Sequence, residues 1–200
     1  RGVDPWGGRF DGARPIGEIV KGYAEGGGAT AAGRITGVRQ FGKANFLDLR
    51  DWTGKIQLYV KKDIVGEAAM EIYKAVDIGD LLGVSGRLFK TKTGEITIEV
   101  KEFRVLAKSL RPLPEKWHGL TNVETRYRQR YLDLIANPEV METMVKRSQI
   151  VAEWRRWLSE RAFVEVETPM MQAIPGGAAA KPFETHHNAL DMKLYLLIAP

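Results

Sequence analysis

Residues 41–60 read Phe41-Gly42-Lys43-Ala44-Asn45-Phe46-Leu47-Asp48-Leu49-Arg50-Asp51-Trp52-Thr53-Gly54-Lys55-Ile56-Gln57-Leu58-Tyr59-Val60, and this stretch decides the fold. It holds two short strand candidates, 44–49 and 56–60. Each follows a glycine-containing turn: Phe41-Gly42-Lys43 and Asp51-Trp52-Thr53-Gly54. Ile56, Leu58 and Val60 alternate with Gln57 and Tyr59, the two-residue period of a strand that buries one face. The same signature extends in both directions. A strand candidate at 30–41 precedes the stretch, and two more follow at 81–89 and 96–106, where Ile96, Ile98 and Val100 repeat the alternation. Thr91-Lys92-Thr93-Gly94 supplies the turn between those two. Residues 64–76 interrupt the series with Ala68, Ala69, Ile72, Tyr73 and Val76, a helical spacing.

Five strands with a helix between the third and the fourth is the order of an OB-fold, a small, partly open Greek-key barrel. A short β-sandwich of equal strand count presents the same pattern. We place the barrel at 29–108, after a helical lead-in at 1–28 in which Ile16, Ile19, Val20 and Tyr23 share one helix face. Gly26-Gly27-Gly28 then reads as a turn; a phosphate-cradling loop would need a helix after it, and none is signalled. Arg111-Pro112-Leu113-Pro114 favours an extended linker, placed at 109–123. From 124 to 200 the character turns helical. One helix is expected at 124–136 and a second at 138–161, which Asn137-Pro138 opens because proline sits well in a first turn. Phe163-Val164-Glu165-Val166-Glu167 alternates like a strand, and Thr168-Pro169 closes it.

The chain has 200 residues, 44% hydrophobic and 28% charged, enough apolar content for one large or two small folded domains. Its net charge of +5 is compatible with a polyanionic partner and equally with a slightly basic solvated surface. Absence of cysteine excludes disulfides, thiolate metal sites and cysteine nucleophiles, and suits a cytoplasmic protein. No run reaches the roughly 20 apolar residues of a membrane span, and Arg1-Gly2-Val3-Asp4-Pro5-Trp6 has no apolar signal core, so no membrane partner is expected. The chain lacks an initiator methionine and ends on an apolar strand-like run, 194–200. It is therefore expected to be a truncated piece of a longer protein.

Four constellations could carry chemistry. In the barrel, Phe46 stands beside Lys43 and Asn45, with Arg39 on the preceding strand and Gln57 on the following one. Such a set offers a ring for base stacking and a cation and an amide for a Watson–Crick edge. The competing reading is a core phenylalanine. Ile174-Pro175-Gly176-Gly177-Ala178-Ala179-Ala180-Lys181-Pro182-Phe183 allows close backbone approach to a ligand, or is a surface loop. His186 and His187 are adjacent on a strand and so face opposite ways, which opposes a shared metal. Glu165 and Glu167 share a strand face and could act on protons, though solvated strand residues look the same.

These strings together resemble a known family. Residues 163–170, ending Glu167-Thr168-Pro169-Met170, resemble motif 1 of class II aminoacyl-tRNA synthetases, a long helix, a strand and a proline at the dimer interface. The 174–183 loop, Thr185-His186-His187-Asn188-Ala189-Leu190-Asp191 and Ile198-Ala199-Pro200 resemble the lysyl enzymes in particular. So do Arg111-Pro112-Leu113-Pro114-Glu115-Lys116-Trp117-His118-Gly119-Leu120 and Arg126-Tyr127-Arg128-Gln129-Arg130-Tyr131-Leu132-Asp133-Leu134. Within the barrel, Phe41-Gly42-Lys43-Ala44-Asn45-Phe46 and Leu88-Phe89-Lys90-Thr91-Lys92-Thr93-Gly94-Glu95 agree, so the likeness covers about residues 15–200.

The resemblance implies an α+β chain: a five-stranded OB-fold barrel followed by the incomplete start of a class II catalytic domain, an antiparallel sheet with helices. It implies a barrel that reads the U-rich anticodon of a lysine-accepting tRNA, with Phe46 stacking on the central uridine and Arg39, Gln57 and Glu95 as its polar partners. Gly177 would contact lysine, and Pro169 would lie at a homodimer interface. The implied reaction joins lysine to tRNA through lysyl-adenylate, using ATP and Mg²⁺. The resemblance puts the first acidic lysine contact, motifs 2 and 3 and the Mg²⁺ ligands beyond Pro200. Accordingly no catalytic residue or metal ligand is expected within this chain, and the chain alone is expected to be inactive. Aspartyl and asparaginyl synthetases share the barrel and motif 1, but Gly176-Gly177-Ala178 and His186-His187-Asn188-Ala189-Leu190 favour lysine. A paralogue that lysylates an elongation factor resembles a bare catalytic domain, which the barrel opposes. A non-catalytic nucleic-acid-binding module remains the alternative from another class.

Overall fold

A computed structural model describes residues 7–41, 44–114 and 119–198. Strands β1 (Gly28–Phe41), β2 (Ala44–Arg50), β3 (Lys55–Lys61), β4 (Leu81–Lys90) and β5 (Ile96–Ala107) close into a barrel in the order β1-β2-β3-β5-β4. All pairs are antiparallel except β3 with β5, where Gln57, Leu58 and Tyr59 run parallel beside Thr97, Ile98 and Glu99. This closure separates the OB-fold from the sandwich that the strand count alone left open. β1 serves two partners: Gly28 to Arg34 pair with β4, and Arg34 to Phe41 pair with β2. A bulge between Ile35 and Gly37 bends the strand near the changeover. The expected turn at 41–43 includes Gly42 and Lys43, which lie outside the described residues.

Alternate strand residues face opposite sides, so each strand contributes one set to the interior. Ile35, Leu47, Leu49, Leu58, Ile98 and Val100 are fully buried there. The lead-in helix α1 (Ile16–Lys21) adds Ile16 and Ile19 to the same cluster. Its N-cap is Pro15, which makes no side-chain cap. The β2–β3 turn supplies the missing acceptors instead. The Ile16 amide donates to Asp51 Oδ2 at 2.8 Å and the Gly17 amide to Thr53 Oγ1 at 2.8 Å. Asp51 Oδ1 accepts from the Thr53 amide, the Thr53 hydroxyl and the Gly54 amide. Burial pushes the Asp51 carboxyl upward, but these hydrogen bonds outweigh it and hold the group below its usual range.

The helical stretch expected at 64–76 is two short helices, α2 (Lys62–Val65) and α3 (Glu67–Tyr73). Gly66 separates them at φ 85°, a backbone state open to glycine and strained for other residues. Beyond α3, Asp80 is fully buried, with Oδ2 accepting from Lys108 Nζ and the Asp77 amide and Oδ1 from the Ser109 amide. That latch ties the α3–β4 connection to the end of β5.

Residues 124–136 are not one helix. α4 (Val123–Arg128) and α5 (Arg130–Ala136) meet at Gln129, which leaves helical geometry at φ −116° and ψ 59°. Asn122 caps α4 through the Thr125 amide. Arg126 and Arg130 converge on the buried carboxylate of Asp133, at 2.8 and 2.5 Å. On an unbroken helix Arg126 and Asp133 would stand about 10 Å apart along the axis. The chain divides into two compact units after Ala136, so α4 and α5 group with the barrel, whereas the sequence reading starts the second domain at 124. Leu132 and Ile135 line a cavity of about 350 Å³ together with Arg34, Leu81 and Leu113. Glu115, Lys116, Trp117 and His118 of the linker lie outside the described residues.

The second unit holds the 22-residue α6 (Pro138–Ser159) and three short antiparallel strands, β6 (Met171–Gln172), β7 (Glu184–His187) and β8 (Met192–Leu196), ordered β6-β8-β7. α6 stops two residues before the expected 161, and Ala162 turns the chain at φ 62°. The strand expected at 163–167 does not form. Phe163, Val164 and Val166 are exposed, and no strand among the described residues pairs with them. Alternation marks a strand, but a ladder needs a neighbour for its amides and carbonyls. The apolar run expected at 194–200 forms β8 only as far as Leu196, and Ala199 and Pro200 lie outside the described residues. Among the described residues, no helix is long and apolar enough to cross a membrane.

Candidate nucleic-acid interface

On β2, Leu47 and Leu49 enter the core, so Phe46 and Asp48 belong to the outer face. Phe46 is partly exposed and stands outside the core cluster, so it is not the core phenylalanine that a lone ring in a strand suggests. The register sets its neighbours. Phe46 lies opposite Arg39 on β1 and Tyr59 on β3, while Asp48 lies opposite Gly37 and Gln57. Gln57 in turn lies beside Thr97 of β5. Glu95, just before β5, accepts from Gln57 Nε2 at 3.0 Å. The fold therefore gathers Arg39, Phe46, Gln57 and Glu95 on one outer face.

The sequence reading missed several members of this face. Phe46 is not a lone ring. Phe41, Phe46, Tyr59 and Phe89 form a row with successive centroid distances of 6.1, 5.1 and 6.0 Å. Arg39 is held by Asp48 in a two-point pair, Nη1 to Oδ2 at 3.1 Å and Nη2 to Oδ1 at 2.8 Å. Lys55 Nζ lies 4.0 Å from both Asp48 Oδ1 and Glu95 Oε1. The Thr97 hydroxyl donates to Gln57 Oε1 at 3.0 Å, which turns the Gln57 amide nitrogen toward Glu95. Charges therefore alternate across the face as Arg39, Asp48, Lys55 and Glu95. Counting by twos from Phe46, Gln57 and Glu95 reaches Asp48, Lys55, Tyr59 and Thr97, so the sequence did carry that signal.

Such a face offers aromatic rings, guanidinium and amide donors, and carboxylate acceptors. Comparison with known proteins matches this architecture. Residues 29–106 match the model described as an OB-fold nucleic acid binding domain. Residues 122–200 match the model described as class II tRNA synthetases (D, K and N). Across 100% of this chain, the lysine–tRNA ligase of Syntrophomonas wolfei is 56% identical and that of Carboxydothermus hydrogenoformans 55%. The lysine–tRNA ligase of Oceanobacillus iheyensis is 50% identical, also across 100% of the chain. Over its whole length the chain is similar to lysine–tRNA ligases at 50–56% identity. It spans 41% of the length of the first two relatives and 42% of the third.

The second unit carries the remaining expected residues. Gly177 lies in the irregular connection between β6 and β7 at φ 105°. Pro169 lies in the exposed segment before β6. Glu165 pairs with Arg155 of α6 at 2.9 Å and Glu167 is exposed, which fits solvated carboxylates better than an acid–base pair. His186 on β7 reaches Asp191 at 3.2 Å, while His187 Nδ1 accepts from the Leu190 amide. Among the described residues no three His, Cys, Asp or Glu side chains gather as a metal site.

Proposed function

We propose that the chain is the anticodon-reading part of a lysine–tRNA ligase. The observation that carries this reading is the partly exposed Phe46 ring with Arg39, Gln57 and Glu95 grouped beside it on the outer barrel face. A uracil edge presents an N–H flanked by two carbonyl oxygens. Arg39 and Gln57 supply donors for the oxygens, and Glu95 supplies an acceptor for the N–H. Cytosine replaces one carbonyl by an amine donor and the N–H by an acceptor, so two of those pairings reverse. The face therefore prefers uridine on chemical grounds, and Phe46 contributes the stack that any base would use.

The whole protein would join lysine to its tRNA through lysyl-adenylate, with ATP as co-substrate and Mg²⁺ as the accompanying ion. Among the described residues no three His, Cys, Asp or Glu side chains gather in a way that could hold that ion. Gly177, in its open loop, would lie against lysine. Pro169 and the exposed apolar run of Phe163, Val164, Val166 and Met170 would meet a second copy in a homodimer. The cytoplasm is the compartment that suits such a reaction and a chain without cysteine.

Binding to the anticodon stem-loop of a lysine tRNA tests the reading, set against the same loop with its central uridine changed to cytidine. Clear preference for uridine is expected. Equal binding would leave a general nucleic-acid module, and no binding to either would refute the assignment of this face.

A further inference from the structure

We propose that Asp48 is a positioning residue for base selection, a carboxylate that holds the Arg39 guanidinium in one plane beside the Phe46 ring. The inference rests on the anticodon-reading face proposed above and adds to it the device that makes the face selective. Asp48 points outward, yet its side chain is only 6% exposed, against 43% for Arg39. It is covered by the residues it serves: Arg39 by two hydrogen bonds and Lys55 at 4.0 Å.

Gly37 makes room for this arrangement. It lies opposite Asp48, and a Cβ there would stand 2.7 Å from Asp48 Oδ2, one of the two oxygens that Arg39 uses. A side chain at 37 would push the carboxylate off its partner. The glycine, the aspartate and the arginine thus form one unit across β1 and β2.

The pairing matters because arginine is long and flexible. Unrestrained, its donors can follow whichever acceptors a base offers. Two parallel N–H···O bonds fix both the position and the plane of the guanidinium. They use two of its five N–H groups and leave three for a ligand. A fixed donor set discriminates between base edges, whereas a mobile one binds both. Loss of Asp48 is therefore expected to lower selectivity more than affinity.

The test measures dissociation constants of the 200-residue chain for the uridine and cytidine stem-loops. The variants are Asp48→Asn, Gly37→Ala, Arg39→Ala and the Asp48→Asn/Arg39→Ala double, each with a circular-dichroism melt. In Asp48→Asn the uridine-to-cytidine ratio is expected to fall by about tenfold or more, the scale of one charged hydrogen bond. Gly37→Ala should act the same way with the charge retained. The double variant should be no less selective than Arg39→Ala alone, because both act through one group. A folded Asp48→Asn chain with an unchanged ratio would overturn the proposal. So would loss of fold in both Asp48→Asn and Gly37→Ala, which would make the carboxylate purely structural. If the unsubstituted chain shows no preference, the base-reading face itself is refuted, and that result is visible without any variant.

Discussion

Phe46 and Leu47 are neighbours on β2 with opposite assignments, so truncating each to alanine should give opposite phenotypes. Leu47 is fully buried in the barrel. Leu47→Ala removes core methylenes and leaves a cavity, at a cost of about 2–5 kcal/mol. In a domain of this size that lowers the melting temperature by roughly 10 °C or more. Phe46 stands outside the core cluster, with an edge contact to Phe41 and a tilted one to Tyr59. Losing both costs about 1–3 kcal/mol of stability, and the barrel should stay folded at room temperature. Its ring is assigned to a base stack worth about 1–3 kcal/mol, so Phe46→Ala should weaken stem-loop binding roughly 5- to 150-fold. Phe46→Trp keeps a flat π-face and should retain most of the affinity. Circular-dichroism melts and fluorescence anisotropy with a labelled anticodon stem-loop read the two effects separately. A folded Phe46→Ala chain that binds like the unsubstituted one would refute the stacking assignment.

Further outcomes follow from the same geometry. Asp51→Ala removes the remote cap of α1 and should cost about 1–3 kcal/mol at neutral pH, read by chemical denaturation. The folded Asp51 carboxyl titrates below its unfolded value. Its stabilisation is therefore complete above about pH 4, declines as pH falls through the folded value, and disappears below it. The gap between native and Asp51→Ala stability should close over that acidic window, and a gap constant down to the lowest pH would contradict the capping role. Lys108→Met strands the buried Asp80 carboxylate with only backbone amides and should destabilise the barrel by up to about 3 kcal/mol. Adding Asp80→Asn should recover part of that loss in a double-mutant cycle. Stem-loop affinity should also fall as salt rises from about 50 to 200 mM, because phosphate contacts release counterions, and a salt-independent affinity would contradict them.

Much of the barrel was legible because its strands carry period-two patterns between glycine turns. Ile56, Leu58 and Val60 announce a buried face, and their spacing held in β3. Closure into a barrel was not legible in the strand count. It depends on the parallel contact of Gln57, Leu58 and Tyr59 with residues 97–99, some 40 positions away, which no local pattern encodes. The site was half legible. Phe46 invited attention as an aromatic following Lys43 and Asn45, with Arg39 and Gln57 on the neighbouring strands, and Glu95 came through family likeness. Asp48 escaped because an aspartate in a strand looks like a solvated residue until the register brings Gly37 and Arg39 against it. Local patterns misled at two places. Residues 124–136 carry one helical period, but the backbone leaves helical geometry at Gln129. Residues 163–167 alternate like a strand, but no described strand offers them a ladder.

The central claim is that the outer face around Phe46 holds the central anticodon base. The most direct measurement is photocrosslinking of the chain to a lysine-tRNA anticodon stem-loop carrying one thiouridine at that central position, followed by peptide mapping. The account predicts adducts on β2 and β3 around Phe46, Gln57 and Tyr59, lost in Phe46→Ala and competed by the unlabelled uridine loop but weakly by the cytidine loop. Adducts confined to the second unit, or spread evenly over the basic surface of the barrel, would contradict it.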